Sequence, residues 1–312
     1  VCIDKYDACI EKIVDYYKTF DEIVSIYQIG SITTPGISDI DILFVFKNGV
    51  IFDIEPRKIL SVEEKYLAVH NFFGIYEQDF SQNSKYQIVQ ISKLLYGKDI
   101  KRKQLLKRDQ LIDLEKQLGL EYLIQFYISL TIQLSYNIIK VRPCLLHIKG
   151  IKLDYSLLKI IDHDSIEYVK KINYIRENWF NDEDENMLQY HLEIYYGHLE
   201  NLLNELLMNK TFYLPSSSSE INLSRNIIIK QSKKLHFKRK RMFPLDLFFI
   251  NSAKYYNLLD RFNKFHICLP FKQTKEQHFL LKCYQVHKRL KEINSKKFPY
   301  FYPLVGSSLN IN

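Results

Sequence analysis

From Asp4 to Thr19 the apolar residues Ile10, Ile13, Val14 and Tyr17 return at the spacing of one helix face, which predicts an amphipathic first helix. The apolar runs that follow are shorter and bounded by turn residues. Ile23 to Ile29 reads as a strand, Pro35-Gly36 marks a turn within Thr33 to Gly36, and Asp39 to Phe46 reads as a second strand. Lys47-Asn48-Gly49 separates that strand from another alternating run, Val50 to Ile54, so the Asn-Gly pair predicts a hairpin. Ser61 followed by Glu64 is a capping box and predicts a helix over about 62–73. One further strand is expected within Phe73 to Phe80 or within Tyr86 to Ile91, and Leu94 to Gly97 closes a small sheet.

Beyond Lys101 the texture changes. Residues 103–140 hold no proline and a single glycine, with apolar positions at steps of three and four, which predicts one or two long helices ending near Pro143. Ser165 to Arg176 and Asn186 to Met208 repeat the pattern. Pro215 with Ser216 to Ser219 reads as a linker, after which a basic segment precedes helices at about Pro244 to Phe262 and Lys275 to Ile293. The chain is therefore expected to be α+β: a small mixed-sheet domain over 1–100, a helical domain over 101–214 and a basic, mainly helical region over 215–312. No internal repeat is visible.

Composition narrows the function. Only 9 glycines and 8 prolines in 312 residues argue against a glycine-rich dinucleotide fold or a many-turned β-sandwich. Apolar residues make up 46% of the chain, enough for a sizeable core. A net charge of +8 favours phosphate-bearing partners: a nucleotide, a nucleic acid or an anionic membrane surface. Cys2, Cys9, Cys144, Cys268 and Cys283 are odd in number and scattered, so neither a disulfide framework nor a zinc site is expected, and a reducing, cytoplasmic setting fits. No apolar run approaches the roughly 20 residues of a membrane span, and neither a signal peptide nor a transmembrane helix is expected.

The stretch IYQIGSITTPGISDIDILFVF, Ile26 to Phe46, carries the chemistry. Side chains alternate along a strand, so Asp39 and Asp41 point one way and Ile40 and Ile42 the other. Two neighbouring carboxylates repel each other unless a cation sits between them. Hard oxygen ligands at this spacing suit Mg²⁺, with Mn²⁺ as the alternative. Gly30 lacks a side chain, so the backbone of the Gly30-Ser31 turn and the Ser31 hydroxyl can approach a phosphate closely. Ser31 has no histidine at a partner position and is not read as a hydrolase nucleophile. Taken alone, an Asp-x-Asp on a strand is more often a solvated edge than a metal site.

An apolar strand, Gly-Ser, a short spacer and Ser-Asp-Ile-Asp running into a second apolar strand resemble the signature of the DNA polymerase beta-like nucleotidyltransferase superfamily. LLYGKDI, Leu94 to Ile100, is similar to the strand that often follows the catalytic core in its small members. The resemblance covers about residues 10–100. It implies a nucleotidyltransferase palm in which Gly30 and Ser31 hold an NTP, Asp39 and Asp41 bind two Mg²⁺ ions, and an acceptor hydroxyl displaces pyrophosphate. Many members add a third carboxylate, for which Asp79 is the first choice, with Glu77 and Asp53 as alternatives. If YQIVQI is the relevant strand, the position falls to Gln87 or Gln90, which bind Mg²⁺ less well. The expected function is Mg²⁺-dependent transfer of an NMP from an NTP to a hydroxyl or phosphate acceptor on RNA, protein or a small molecule. The alternative is a degenerate member that binds nucleotide or a partner and regulates it.

Other charged clusters carry weaker readings. Lys233, Lys234, Lys238, Arg239, Lys240 and Arg241, with His236 and Phe237 among them, resemble a polyanion contact such as RNA, or equally a solvated edge. Asp182 to Glu185 precede a helical stretch and read as dipole compensation rather than a cation site. His191 and His198 share a helix face with Tyr195, where packing is the default expectation. Cys144 and Cys268 read as core residues.

Overall fold

The computed structural model describes residues 1–82, 92–101, 107–181, 184–209, 220–224, 227–240, 264–270 and 278–305. In chain order the elements are α1 (Ile3–Tyr17), β1 (Ile23–Ile29), β2 (Asp41–Phe46), α2 (Val62–Leu67), β3 (Phe73–Tyr76), α3 (Glu77–Gln82), β4 (Ser92–Gly97) and α4 (Arg108–Ser135). Then follow α5 (Val141–Leu158), α6 (His163–Asn178), α7 (Glu185–Asn209), β5 (Glu220–Ser224), β6 (Ile227–Gln231), β7 (His236–Lys240), β8 (Lys264–Leu269), α8 (His278–Lys297) and β9 (Tyr302–Pro303). The architecture is α+β. Two compact units divide the chain: Val1–Leu111 with Lys282–Gly306, and Ile112–Leu281 with Ser307–Asn312.

The first unit is built on a five-stranded mixed sheet of order β4-β1-β2-β3-β9. β1 runs antiparallel to both β2 and β4, whereas β3 lies parallel to β2 and β9 parallel to β3. Both faces of the sheet are covered. Ile26, Ile42, Phe44 and Phe46 share one core with Tyr6, Ile13 and Tyr17 of α1 and with Phe298 and Phe301. On the other face Tyr27, Leu43, Val45 and Ile75 pack with Phe80 of α3 and Leu290 of α8. Burial on both sides explains why β2 reads as the unbroken apolar run Ile42 to Phe46.

Three expectations change. The Asn48-Gly49 turn forms, but Val50 to Ile54 is not a strand, because the sheet edge beside β2 belongs to β3. That segment instead crosses to the C-terminal end of α8, where Phe52 N–H donates to the Lys297 carbonyl at 2.8 Å and Tyr76 Oη donates to Val50 at 2.7 Å. The helix opened by Ser61 stops at Leu67; its capping box is intact, with Glu64 N–H donating to Ser61 Oγ at 3.1 Å and Ser61 N–H to Glu64 Oε2 at 2.6 Å. Residues 282–306, grouped by sequence with 215–312, belong to the first unit.

In the second unit α4 is buried around its circumference, which is why its apolar positions carry no single-faced period. Pro143 falls in the first turn of α5, where a missing N–H costs nothing. The region expected to be mainly helical contains a four-stranded sheet, β5-β6-β8-β7. Ile229, Phe265, Ile267 and Leu269 are buried in it and Phe237 stacks on Phe265 at 5.6 Å, so β-branched and aromatic residues form strands here, while the helix expected at Lys275 to Ile293 is present as α8. The predicted linker at 216–219, the helix at 244–262 and the strand at 86–91 lie outside the described residues. Among the described residues no helix is long and apolar enough to cross a membrane.

Candidate metal centre

β1 ends at Ile29, directly across from Asp41 at the start of β2. Between them the chain turns at Gly30, whose φ of +73° lies in the left-handed region that glycine adopts without strain. The rest of the loop is organised around Ser38. Its hydroxyl accepts from Thr33 N–H at 3.2 Å and Thr34 N–H at 3.1 Å, while its carbonyl accepts from Tyr6 Oη at 2.7 Å. Gly36 N–H donates to the same tyrosine oxygen at 2.9 Å. Ile40 N–H donates to the Leu67 carbonyl at 2.9 Å, fastening the approach to β2 onto the end of α2. With Ile40 and Ile42 buried in the α1 side of the core, Asp39 and Asp41 both face the other way.

His70, just beyond α2, completes the group. Its Nδ1–H donates to the Asn71 carbonyl at 2.8 Å, and Nε2 stands 2.8 Å from Asp41 Oδ1 and 3.5 Å from Asp39 Oδ2. The ring is held against Phe73 at 5.6 Å and Tyr302 at 5.8 Å. Burial by itself pulls the imidazole down, but the Asp41 carboxylate, the Asn71 carbonyl and the charge of Asp39 outweigh it and push the pKa up to about 9. In this form the imidazolium supplies the positive charge that two neighbouring carboxylates require.

The ligand atoms of Asp39, Asp41 and His70 all lie within 4.8 Å of one another. Asp41 Oδ1 is sealed from solvent and accepts no hydrogen bond of sound geometry, so its contact with His70 is one of charge. Such an oxygen is what a bound cation would satisfy, and the donor set of two carboxylates and one imidazole fits a divalent metal. Gly30 abuts the group: a Cβ there would lie 3.7 Å from Asp41 Oδ2. Ser31 occupies the same bend, half-buried.

The proposed third carboxylates lie elsewhere. Asp79, on α3, is buried and paired with Arg289 of α8. Glu77 pairs with Lys98 at 2.9 Å, and Asp53 is exposed beyond the Asn48-Gly49 turn. Gln87 and Gln90 lie outside the described residues. The residue that sequence reasoning missed is His70. Its signal lay in the parallel pairing of β2 and β3, where Leu43 is level with Phe73, so the residues just ahead of β3 come alongside Asp41.

The remaining candidates are structural or peripheral. Lys233 and Lys234 are exposed in the turn before β7, and Lys238 is exposed on that edge strand; nothing is described of the Arg239, Lys240 and Arg241 side chains. Asp184 Oδ1 accepts from Met187 N–H at 2.8 Å at the start of α7, as dipole compensation predicts. His198 stacks on Tyr168 at 5.3 Å and His191 lies 5.9 Å from the same ring, so both are packed. Cys144 and Cys268 are buried. No protein family, curated protein or solved structure matches this chain.

Proposed function

We propose that this chain is a metal-dependent nucleotidyltransferase of the DNA polymerase beta-like type, moving an NMP from an NTP to a hydroxyl or phosphate acceptor. The observation that carries the reading is the juxtaposition of Gly30 with Asp41, at 3.7 Å from a built Cβ to Oδ2, with Asp39 on the same side of the strand. A glycine bend beside two carboxylates suits a triphosphate whose charge a shared cation balances. Asp39, Asp41 and His70 would hold that cation, and the Gly30-Ser31 bend would orient the phosphates. A divalent ion there supplies neutralisation of the charge on the attacking and leaving oxygens. The basic residues Lys233, Lys234 and Lys238 favour a polyanionic acceptor such as an RNA end.

A second reading, nucleotide binding without turnover, is favoured by the engagement of Asp79 with Arg289 and of Glu77 with Lys98, which leaves two of the three candidate third acids occupied. Incubating the full chain with each α-labelled NTP, divalent cation and cell extract separates the two. Label transferred to an acceptor by the native chain, and lost in Asp41→Asn with its fold retained by circular dichroism, supports transfer. Bound nucleotide without transferred label supports the second reading. Equal transfer by Asp41→Asn overturns the first.

A further inference from the structure

We infer that the Asp39-Asp41-His70 centre selects a first-row transition-metal ion over Mg²⁺, with His70 Nε2 as a direct ligand. The inference rests on the same site as the proposed function but not on the reaction.

The first support is donor chemistry. Mg²⁺ takes an all-oxygen octahedral shell and retains most of its water, whereas an imidazole nitrogen raises affinity along the transition series. Two carboxylates and one imidazole are a mixed set that Mg²⁺ gains little from.

The second support is how the histidine is held. A carbonyl can only accept, so the 2.8 Å contact with Asn71 fixes the proton on Nδ1 and turns Nε2 toward the two carboxylates. Donation of the outer ring N–H to a backbone carbonyl is the usual way a metal-ligating histidine is oriented. Phe73 and Tyr302 restrict the ring further.

The third support is spacing. With metal-ligand bonds of about 2.1 Å, neighbouring ligands of an octahedral or tetrahedral site lie roughly 3–3.5 Å apart. His70 Nε2 stands at 2.8 Å and 3.5 Å from the two carboxylate oxygens, and the whole set fits within 4.8 Å, a little wider than one such coordination sphere, about 4.2 Å across. Asp41 Oδ1, sealed from solvent beside His70 Nε2, belongs to that set. Little movement is needed for a single ion to take all three.

The full chain, freed of metal by chelation and without nucleotide, is titrated with Mn²⁺ and with Mg²⁺, and its Mn²⁺ form is measured by pulsed electron paramagnetic resonance. The expected result is Mn²⁺ binding at least about tenfold tighter than Mg²⁺, with ¹⁴N coupling from one imidazole. His70→Gln abolishes the coupling and weakens Mn²⁺ about 10- to 100-fold, while His70→Asp narrows the preference over Mg²⁺. Absence of ¹⁴N coupling in the native chain, equal affinity for both ions, or no metal binding at all overturns the inference, and the native-chain measurement decides even where a variant fails to fold. Nitrogen-coupled Mn²⁺ without label transfer would sink the nucleotidyltransferase reading alone; transfer with no nitrogen coupling would sink this inference alone.

Discussion

Asp79 and Arg289 stand 210 positions apart in the chain and form an ion pair that ties α3 to α8. The two ends differ in exposure: the Asp79 side chain is 7% accessible and that of Arg289 54%. Removing the arginine therefore strands a buried carboxylate, while the half-exposed guanidinium limits the strength of the pair through solvent screening. Arg289→Ala is expected to lower stability by about 1–2 kcal/mol, measured by chemical denaturation. Asp79→Asn should also lower the midpoint yet leave Mn²⁺ affinity at Asp39, Asp41 and His70 unchanged. A loss of metal binding in that variant would return Asp79 to the metal centre.

Gly30→Ala separates fold from function. Its φ of +73° costs an L-residue about 1 kcal/mol, and the added methyl meets Asp41 Oδ2 only at ordinary contact distance, 3.7 Å. The fold should survive with a small shift in midpoint. Nucleotide affinity should fall about tenfold or more, because the methyl stands where a phosphate would approach the backbone. Equilibrium binding of a labelled NTP beside a thermal melt checks both halves; unchanged affinity would remove the bend from the nucleotide site.

Gly97 and Gly49 share a left-handed backbone, φ +84° and +83°, but not their surroundings. A Cβ at Gly97 would lie 2.0 Å from the Val24 carbonyl oxygen, whereas nothing lies within 4 Å of one at Gly49. Gly49→Ala should cost about 1 kcal/mol, and Gly97→Ala about 3 kcal/mol or more, since backbone strain and collision between β4 and β1 add. Denaturant midpoints of the two variants give the comparison. Equal costs would mean that β4 and β1 do not approach as described.

Asp154, on α5, is buried, and desolvation pushes its pKa from 3.8 up to about 8. The folded chain therefore keeps this proton at neutral pH and the unfolded chain releases it. The group's contribution to stability is fully present below its unfolded value near 4 and declines as pH rises to about 8. Asp154→Asn should match the native chain near pH 3.5 and exceed it at pH 8 by up to several kcal/mol, read as the difference in denaturation midpoint. A native chain no less stable than the variant at pH 8 would show that the carboxylate is ionised and well paired.

The legible parts of the chain were those in which local chemistry and packing agree. β1, β2, α1 and the Ser61 cap follow from apolar period and capping, the long helices from unbroken apolar content with little glycine or proline, and the placing of Asp39 beside Asp41 from strand alternation. The hairpin at Asn48-Gly49 failed because turn chemistry dictates a turn and not which strand takes the neighbouring edge, a choice decided by the parallel pairing of β3. His70 was hidden for the same reason. Its proximity to Asp41 arises from a register between segments some thirty residues apart, and no spacing within either segment encodes it. The second sheet was obscured by charge: Lys233, Lys234, Lys238, Arg239 and Lys240 dominate the eye, while the Phe237-Phe265 stack that holds the strand spans a long stretch of sequence.

The return of residues 282–306 to the first unit has a cost in time during synthesis. After Leu111 has left the ribosome, some 190 residues must still be made before Phe298 and Phe301 can close over Phe46. At 5–20 residues per second that is an interval of roughly 10–40 s in which the nascent sheet lacks part of its aromatic cover. A chain cut short anywhere before α8 would leave Phe46 without the rings of Phe298 and Phe301, and with them part of the cover over one face of the sheet.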